Sequence, residues 1–236
     1  MKVVLKHGGR WLHFQGPEKV VRAERMEEVL PAIAEAEQSG LYAAGFISYE
    51  AAPAFDAALK THPADGFPLV MLGLFKAPDV LDDIECAAGR AFEIGELKPS
   101  VSRDAFRHAI HEIKDRIAEG ATYQVNYTYR LNAGFEGDAW AFFYELVKGQ
   151  KTEHAAFIET DGFAICSASP ELFFHVSNGV ITCRPMKGTA KRGLTLSNDW
   201  KQAEALARSE KDRAENIMIV DMIRNDIGRV AEAGSV

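Results

Sequence analysis

Apolar residues recur at helical spacing along several stretches of the chain. One stripe falls at i, i+4, i+7 and i+11 and consists of Phe106, Ile110, Ile113 and Ile117. Gly120 follows this stripe and is placed to end the helix. Further helices are predicted over residues 26–37, closed by Gly40, over residues 198–208, and over residues 210–227 with Gly228 as the C-cap.

Strict alternation of apolar and polar side chains over residues 123–131 predicts a strand. Its polar face holds Gln124, Asn126, Thr128 and Arg130, and the pattern alone favours an ordinary solvated face. Shorter apolar runs predict other strands at residues 3–5, 11–14, 41–49, 69–75, 157–165 and 172–182. The first two flank the turn at Gly8 and Gly9, which predicts a hairpin.

These elements predict an α+β fold in two parts. Residues 77–99 are irregular and acidic and end at Pro99 and Ser100, which is typical of a connection. We therefore place an N-terminal α/β subdomain at residues 1–95 and a second domain at residues 96–236.

The composition narrows the class of protein. The chain has 236 residues, of which 47% are hydrophobic and 26% charged, so an ordered globular core is expected. A net charge of −7 disfavours nucleic acid as a partner, and no apolar run reaches the ~18 residues of a membrane span. Three cysteines without a CxxC pair favour reduced thiols, and hence a cytoplasmic location.

A cationic segment stands out in this acidic chain. Residues 172–198 contain no Asp or Glu, but four cations: Arg184, Lys187, Lys191 and Arg192. Such a segment suits a small anion with carboxylate groups. Lys187 lies in a turn between Pro185 and Gly188, where partial loss of solvation could make it a nucleophile or base. The commoner outcome for such a turn is a solvated basic loop.

Three acidic residues are also candidates. Asp212 and Glu215 are three apart and share one helix face, which suits Mg²⁺ but equally suits a helix N-terminus stabilised by its dipole. Glu171 follows Pro170 before a predicted strand and could be a general acid or an exposed cap.

Other chemistries lack their motifs. The chain has neither a GxxxxGK[ST] phosphate loop nor a GxGxxG dinucleotide motif. His108 and His111 have no partners at zinc spacing, and no cysteine lies in a nucleophile elbow.

Four segments in a fixed order resemble the chorismate-utilising enzymes. They are residues 123–126 (YQVN), 169–173 (SPELF), 184–189 (RPMKGT) followed by Arg192 and Gly193, and 211–226 (KDRAENIMIVDMIRND). The first hundred residues resemble the family only loosely, chiefly at residues 45–50. The resemblance implies a layered sandwich of two facing mixed β-sheets flanked by helices, as in anthranilate synthase component I, and incomplete in this chain.

Two positions separate the members of this family. Members that add water to the ring carry Lys at the position of Gln124, and anthranilate synthases usually carry a small residue at the position of Lys187. The pair Gln124 and Lys187 thus resembles the aminodeoxychorismate synthases of the p-aminobenzoate branch of folate synthesis. Anthranilate synthase component I and a noncatalytic chorismate-binding fragment remain the alternatives.

The resemblance also implies roles for the candidate residues. Lys187 is expected to be the nucleophile and Glu171 the general acid, while Gln124, Gly188 and Thr189 bind substrate. Glu215, supported by Asp212, is expected to hold Mg²⁺ against the ring carboxylate of chorismate. The ammonia is expected from a separate glutamine amidotransferase subunit.

One departure from the family lies beyond the last motif. The family completes its site there with a His and further glutamates, whereas this chain has no His after His175 and only Glu232 after Glu215. We therefore interpret the chain as truncated at its C-terminus and expect no turnover from it alone.

Overall fold

The computed structural model describes all residues, 1–236, and contains five α-helices. They are α1 (Met26–Gln38), α2 (Arg103–Ala118), α3 (Ala139–Gln150), α4 (Leu196–Arg208) and α5 (Glu210–Gly228). A short 3₁₀ helix spans Tyr49–Ala54. Four of the helices were predicted and α3 was missed. None of the helices is long and apolar enough to cross a membrane.

Fourteen strands accompany the helices. In chain order they are β1 (Lys2–His7), β2 (Arg10–Gln15), β3 (Lys19–Ala23), β4 (Tyr42–Ile47), β5 (Val70–Phe75), β6 (Asp79–Leu81), β7 (Phe92–Ile94), β8 (Lys98–Pro99), β9 (Leu131–Asn132), β10 (Phe135–Gly137), β11 (His154–Glu159), β12 (Ala164–Ser169), β13 (Leu172–Ser177) and β14 (Val180–Arg184). Strands β6, β7 and β8 lie in the segment that was predicted to be irregular.

Tight turns determine where the strands end. Gly8 and Gly9 have φ of 57° and 79° and join β1 to β2, which confirms the predicted hairpin. Asn178 and Gly179, with φ of 51° and 76°, likewise join β13 to β14. The predictions of single strands over residues 157–165 and 172–182 were therefore wrong, because a turn divides each into a hairpin. Gly228 is the last residue of α5 and Arg229 is its C-cap, another correction.

Two sheets face each other across an apolar layer. One has the strand order β12-β11-β1-β2-β6 and the other the order β3-β5-β4. Val3, Phe14 and Ile158 of the first sheet pack with Ala44 and Phe75 of the second. The α+β class and the facing sheets are confirmed, but every strand pair is antiparallel and neither sheet is mixed.

Helix α1 covers the outer face of the three-stranded sheet. It contributes Val29, Ala32 and Ala36 to an apolar cluster with Val21 and Val70. The capping box between Arg25 and Glu28 starts this helix, since Glu28 accepts hydrogen bonds from the backbone at that end. The layers of this part of the chain are therefore sheet, sheet and helix.

Backbone contacts divide the chain into two units. The first comprises residues 1–83 and 150–236, and the second comprises residues 84–149. This division differs from the predicted boundary at residue 95, because β1 pairs along its length with β11, from Lys2 opposite Glu159 to Leu5 opposite Ala156. The N-terminal segment therefore shares its main sheet with residues far along the chain.

The alternating segment at residues 123–131 is not a strand. In the second unit only its end pairs, in the short ladder of β8 and β9, and Arg130 N–H donates to Ser100 Oγ at 3.0 Å. Tyr127 and Tyr129 pack instead on Phe106 of α2, with ring centroids 5.7 and 5.9 Å away. Alternation gives a strand only where a neighbouring strand supplies the hydrogen bonds.

Candidate functional site

Lys187 lies in an irregular connection that runs from the end of β14 to the start of α4, residues 185–195. We call this connection the Lys187 loop. Lys187 and Gly188 are half-buried, and Gly188 has a φ of 73°, a conformation that favours glycine. The loop ends at Thr195, whose Oγ1 accepts from Asn198 N–H at 3.3 Å and caps α4.

Glu171 lies beside the beginning of this loop. The turn between β12 and β13 holds it: Glu171 N–H donates to Ser169 Oγ at 3.2 Å, and Ser169 Oγ donates to Glu171 O at 3.0 Å. Glu171 Oε1 accepts from Met186 N–H at 3.1 Å. The carboxylate is therefore bound to the residue next to Lys187, while Oε2 takes no part in that hydrogen bond.

Asp212 lies against the middle of the loop. A Cβ placed on Gly188 would lie 2.8 Å from Asp212 Cβ and 3.1 Å from its Oδ1. Asp212 sits in the first turn of α5, where its N–H donates to Ser209 Oγ at 3.3 Å. Only a glycine therefore fits at position 188 with α5 in this place.

Glu215 follows one turn later on the same helix. Its side chain is 32% exposed, and Lys211 Nζ lies 3.8 Å from its Oε1. Asp212 and Glu215 thus lie on one face of α5, as their spacing predicted. No group of three or more His, Cys, Asp or Glu side chains in residues 1–236 is arranged so that it could hold a metal ion by itself.

The donor set of α5 fits a hard divalent cation. Two carboxylates on one helix face offer oxygen ligands only, and Mg²⁺ commonly takes one or two protein carboxylates and completes its shell with substrate and water. Lys211 is the basic side chain paired with Glu215. A cation at Glu215 would compete with Lys211 for that carboxylate.

The far end of the loop is held by Asp199 of α4. Arg192 donates from Nε to Oδ1 at 2.7 Å and from Nη2 to Oδ2 at 2.6 Å. Gly193 N–H donates to the same Oδ1 at 2.8 Å. We call this group of three residues the Arg192–Asp199 clamp. Sequence reasoning missed it, because the partners are seven positions apart and the loop must turn back for them to meet.

The clamp changes the electrostatics expected of the segment. The hydrogen bonds from Arg192 and then from Gly193 N–H lower the pKa of Asp199 to about 2. The carboxylate is therefore ionised throughout the neutral range and becomes protonated only as the pH falls through about 2. Arg184 also has an acidic neighbour, Glu153 Oε2 at 3.7 Å. Arg184 and Arg192, both assigned to an anionic ligand, thus pair with carboxylates of the chain.

Gln124 and Thr189 complete the predicted set. Thr189 is exposed in the Lys187 loop. Gln124 lies in the second unit, half-buried, and its backbone oxygen accepts from Thr122 Oγ1 at 3.2 Å. The contacts described above bring together the loop, Glu171 and Asp212, all of which belong to the first unit.

None of the three cysteines forms a disulfide. Burial, with a smaller contribution from Glu159, raises the pKa of Cys166 to about 11. That thiol is therefore a poor nucleophile at neutral pH.

A family model described as chorismate binding enzyme matches residues 6–236. Aminodeoxychorismate synthase component 1 of Klebsiella aerogenes is 43% identical over 139 residues, 59% of this chain and 31% of that protein. Anthranilate synthase component 1 of Cereibacter sphaeroides is 31% identical over 164 residues, 67% of this chain and 33% of that protein. The chain therefore spans about a third of the length of these relatives.

Solved structures share the fold. Anthranilate synthase component I from Streptococcus pneumoniae superimposes with a TM-score of 0.75 at 18% identity, covering 97% of this chain and 62% of that one. A putative 2,3-dihydroxybenzoate-specific isochorismate synthase from Bacillus anthracis gives a TM-score of 0.65 at the same identity. At such identity the likeness concerns the fold alone.

Proposed function

The chain belongs to the chorismate-binding enzyme family, and from that premise we propose that the complete protein converts chorismate and ammonia to 4-amino-4-deoxychorismate and water. The identity of 43% to aminodeoxychorismate synthase component 1 from two bacteria supports the amination. Lys187 in the Lys187 loop supports it further, because a lysine amine can act as a nucleophile.

The proposal rests chiefly on one contact. The carboxylate of Glu171 accepts a hydrogen bond from Met186 N–H, the residue before Lys187, at 3.1 Å. A candidate acid and a candidate nucleophile are thereby neighbours, although sixteen positions separate them in the sequence. Such adjacency is what a displacement with proton transfer to the leaving group requires.

The reaction takes place in two displacements. Lys187 Nζ forms a bond to the chorismate ring while the bond to the 4-hydroxyl breaks, and Glu171 gives the departing oxygen a proton, so that water leaves. Lys187 Nζ attacks as the neutral amine and loses one proton as it becomes a secondary amine; that proton passes to Glu171 and restores the acid. Ammonia then bonds to the ring carbon that bore the hydroxyl as the bond to Lys187 breaks, and the proton that the incoming nitrogen loses passes to Lys187 Nζ. No atom is oxidised or reduced in either step.

The acidic face of α5 serves the carboxylate of the substrate. Glu215, with Asp212 in support, would hold Mg²⁺, which would neutralise the ring carboxylate and the charge that builds there. Asp212 also packs against Gly188 and so places this face beside the Lys187 loop.

The remaining predicted residues bind and orient. Gln124 offers an amide and Thr189 a hydroxyl, and the backbone of Gly188 can approach a ligand closely, since it has no side chain. We propose that a glutamine amidotransferase subunit supplies the ammonia, that the protein works in the cytoplasm, and that its product enters p-aminobenzoate and folate synthesis.

Product identification tests the proposal. The complete protein encoded by the gene is incubated with chorismate, Mg²⁺ and ammonium, and the products are identified by mass spectrometry. We expect 4-amino-4-deoxychorismate. Anthranilate with pyruvate would instead indicate the activity for which two relatives are named. Saturable chorismate binding without any product would favour a noncatalytic role.

A further inference from the structure

The Arg192–Asp199 clamp lies outside the residues that the proposed reaction uses. We propose that Asp199 and Arg192 are positioning residues that hold the Lys187 loop in the geometry needed for attack by Lys187. This inference rests on the proposed function, since it assigns the clamp to the same covalent step.

The geometry of the clamp is specific. Two parallel N–H···O bonds of 2.7 and 2.6 Å join the guanidinium of Arg192 to both oxygens of Asp199, and Gly193 N–H adds a third bond of 2.8 Å. Bidentate pairs of this kind fix orientation as well as distance. A lysine at position 192 could supply charge but not the fork of donors.

The backbone of the loop also touches α4. A Cβ on Gly193 would lie 2.2 Å from Asp199 N and 2.5 Å from the carbonyl carbon of Asn198. No side chain fits at position 193, so a glycine there allows the loop backbone to contact α4. The ion pair between Arg192 and Asp199 then holds this contact in place. Arg192, Gly193 and Asp199 thus together attach the loop to the first turn of α4.

Stability alone does not account for this junction. The Arg192 side chain is 88% exposed and that of Asp199 is 23% exposed. Ion pairs in such surroundings are screened by water and contribute little to the free energy of unfolding. A local effect on the loop is therefore the larger consequence of the clamp.

The clamp completes a set of three attachments. Glu171 binds the loop at Met186, Asp212 packs against Gly188, and Asp199 holds Arg192 and Gly193. Lys187 lies between the first two, so removal of the clamp leaves it attached but less well placed. Small misplacements of a reacting group can cost about 100-fold in rate, and a smaller loss is expected where two attachments remain.

The test uses Asp199→Asn in the complete protein. We expect kcat to fall about 10-fold with an unchanged KM for chorismate, because attack and not binding is affected. Amide hydrogen exchange of residues 186–195, measured by mass spectrometry, should become faster in the same variant. Arg192→Lys should behave likewise, and the double variant should lose no more than the worse single variant, as expected for one shared interaction.

A matched control is available on the same helix. Glu204 pairs with Arg208 at 2.7 Å, four residues apart and away from the loop. Glu204→Gln removes an exposed ion pair of α4 and should change neither kcat nor exchange in residues 186–195. Asp199→Asn and Glu204→Gln should have closely similar melting temperatures.

Unchanged amide hydrogen exchange of residues 186–195 in Asp199→Asn would overturn the proposed positioning role of the clamp. Faster exchange with an unchanged kcat would overturn it as well. Loss of kcat in Glu204→Gln to the same degree would show that the effect is a general one of α4, which also contradicts the proposal. If Lys187→Ala keeps full activity, the covalent role of Lys187 fails, and if the complete protein forms no 4-amino-4-deoxychorismate, the proposed function fails. Both outcomes are recognised without any clamp variant.

Discussion

Replacing Lys187 by alanine in the complete protein is expected to lower kcat/KM for formation of the amino product by at least about 1,000-fold, the scale seen when a covalent nucleophile is removed. The physical reason is that Lys187 lies between Met186 and Gly188, the residues against which Glu171 and Asp212 lie. Rates of product formation measured by mass spectrometry check this result.

Two further variants show which property of Lys187 matters. Lys187→Arg keeps the positive charge but offers no nucleophilic amine, so we expect a loss as large as in Lys187→Ala. Lys191→Ala removes an exposed lysine of the same loop and should stay within about 2-fold of the parent rate. Full activity of Lys187→Ala, or restored activity in Lys187→Arg, would exclude the covalent role.

The second large effect concerns stability. Phe157 is fully buried, at 0% exposure, in β11, an inner strand of the five-stranded sheet, between Val4 of β1 and Cys166 of β12. Truncation to alanine removes a ring and leaves a cavity, so we expect Phe157→Ala to lower the free energy of unfolding by about 3–5 kcal/mol. Urea unfolding followed by circular dichroism measures this loss.

A phenylalanine that also lies on a strand, but is exposed, provides the control. Phe173 lies on β13 and is 84% exposed, so Phe173→Ala should change the free energy of unfolding by less than about 0.5 kcal/mol. If Phe157→Ala does not fold, Phe157→Leu should still unfold measurably earlier, since it keeps only part of the buried volume. Equal losses in the Phe157 and Phe173 variants would contradict the placement of the core.

Much of the fold could be predicted from local patterns. The stripe of α2 and the glycines of the first hairpin encode their own structure, since a helix and a two-residue turn depend on residues close in sequence. Helix α3 was missed because its sequence is largely apolar, and three of its residues are buried: Ala141, Phe143 and Val147. Such a segment has no clear polar face to mark its period.

Long-range pairing was harder to predict. Residues 123–131 alternate like a strand but find no partner strand along most of their length, so their rings pack on α2 instead. The pairing of β1 with β11 joins residues about 150 positions apart, and the sequence of neither strand indicates which strand it pairs with. Both errors have the same cause. A hydrogen-bonded strand pair depends on two segments, whereas the apolar and polar pattern describes only one of them.

In the candidate site, too, local features were predictable from the sequence and long-range contacts were not. The spacing of Asp212 and Glu215 was sufficient to place both on one helix face. The contacts of the Lys187 loop were not predictable, because Glu171, Asp212 and Asp199 come from three different elements. Arg192 was assigned to an anionic ligand, whereas it pairs with Asp199.

The covalent intermediate tests the central claim most directly. The complete protein is mixed with chorismate and Mg²⁺ in the absence of ammonia, so that the second displacement has no nucleophile, and its intact mass and peptides are then measured. We predict a gain equal to the mass of chorismate less one water, located on Lys187, absent from Lys187→Ala and lost when ammonium is added. Turnover in ammonium without any adduct on Lys187, or an adduct on Lys191 instead, would contradict this account.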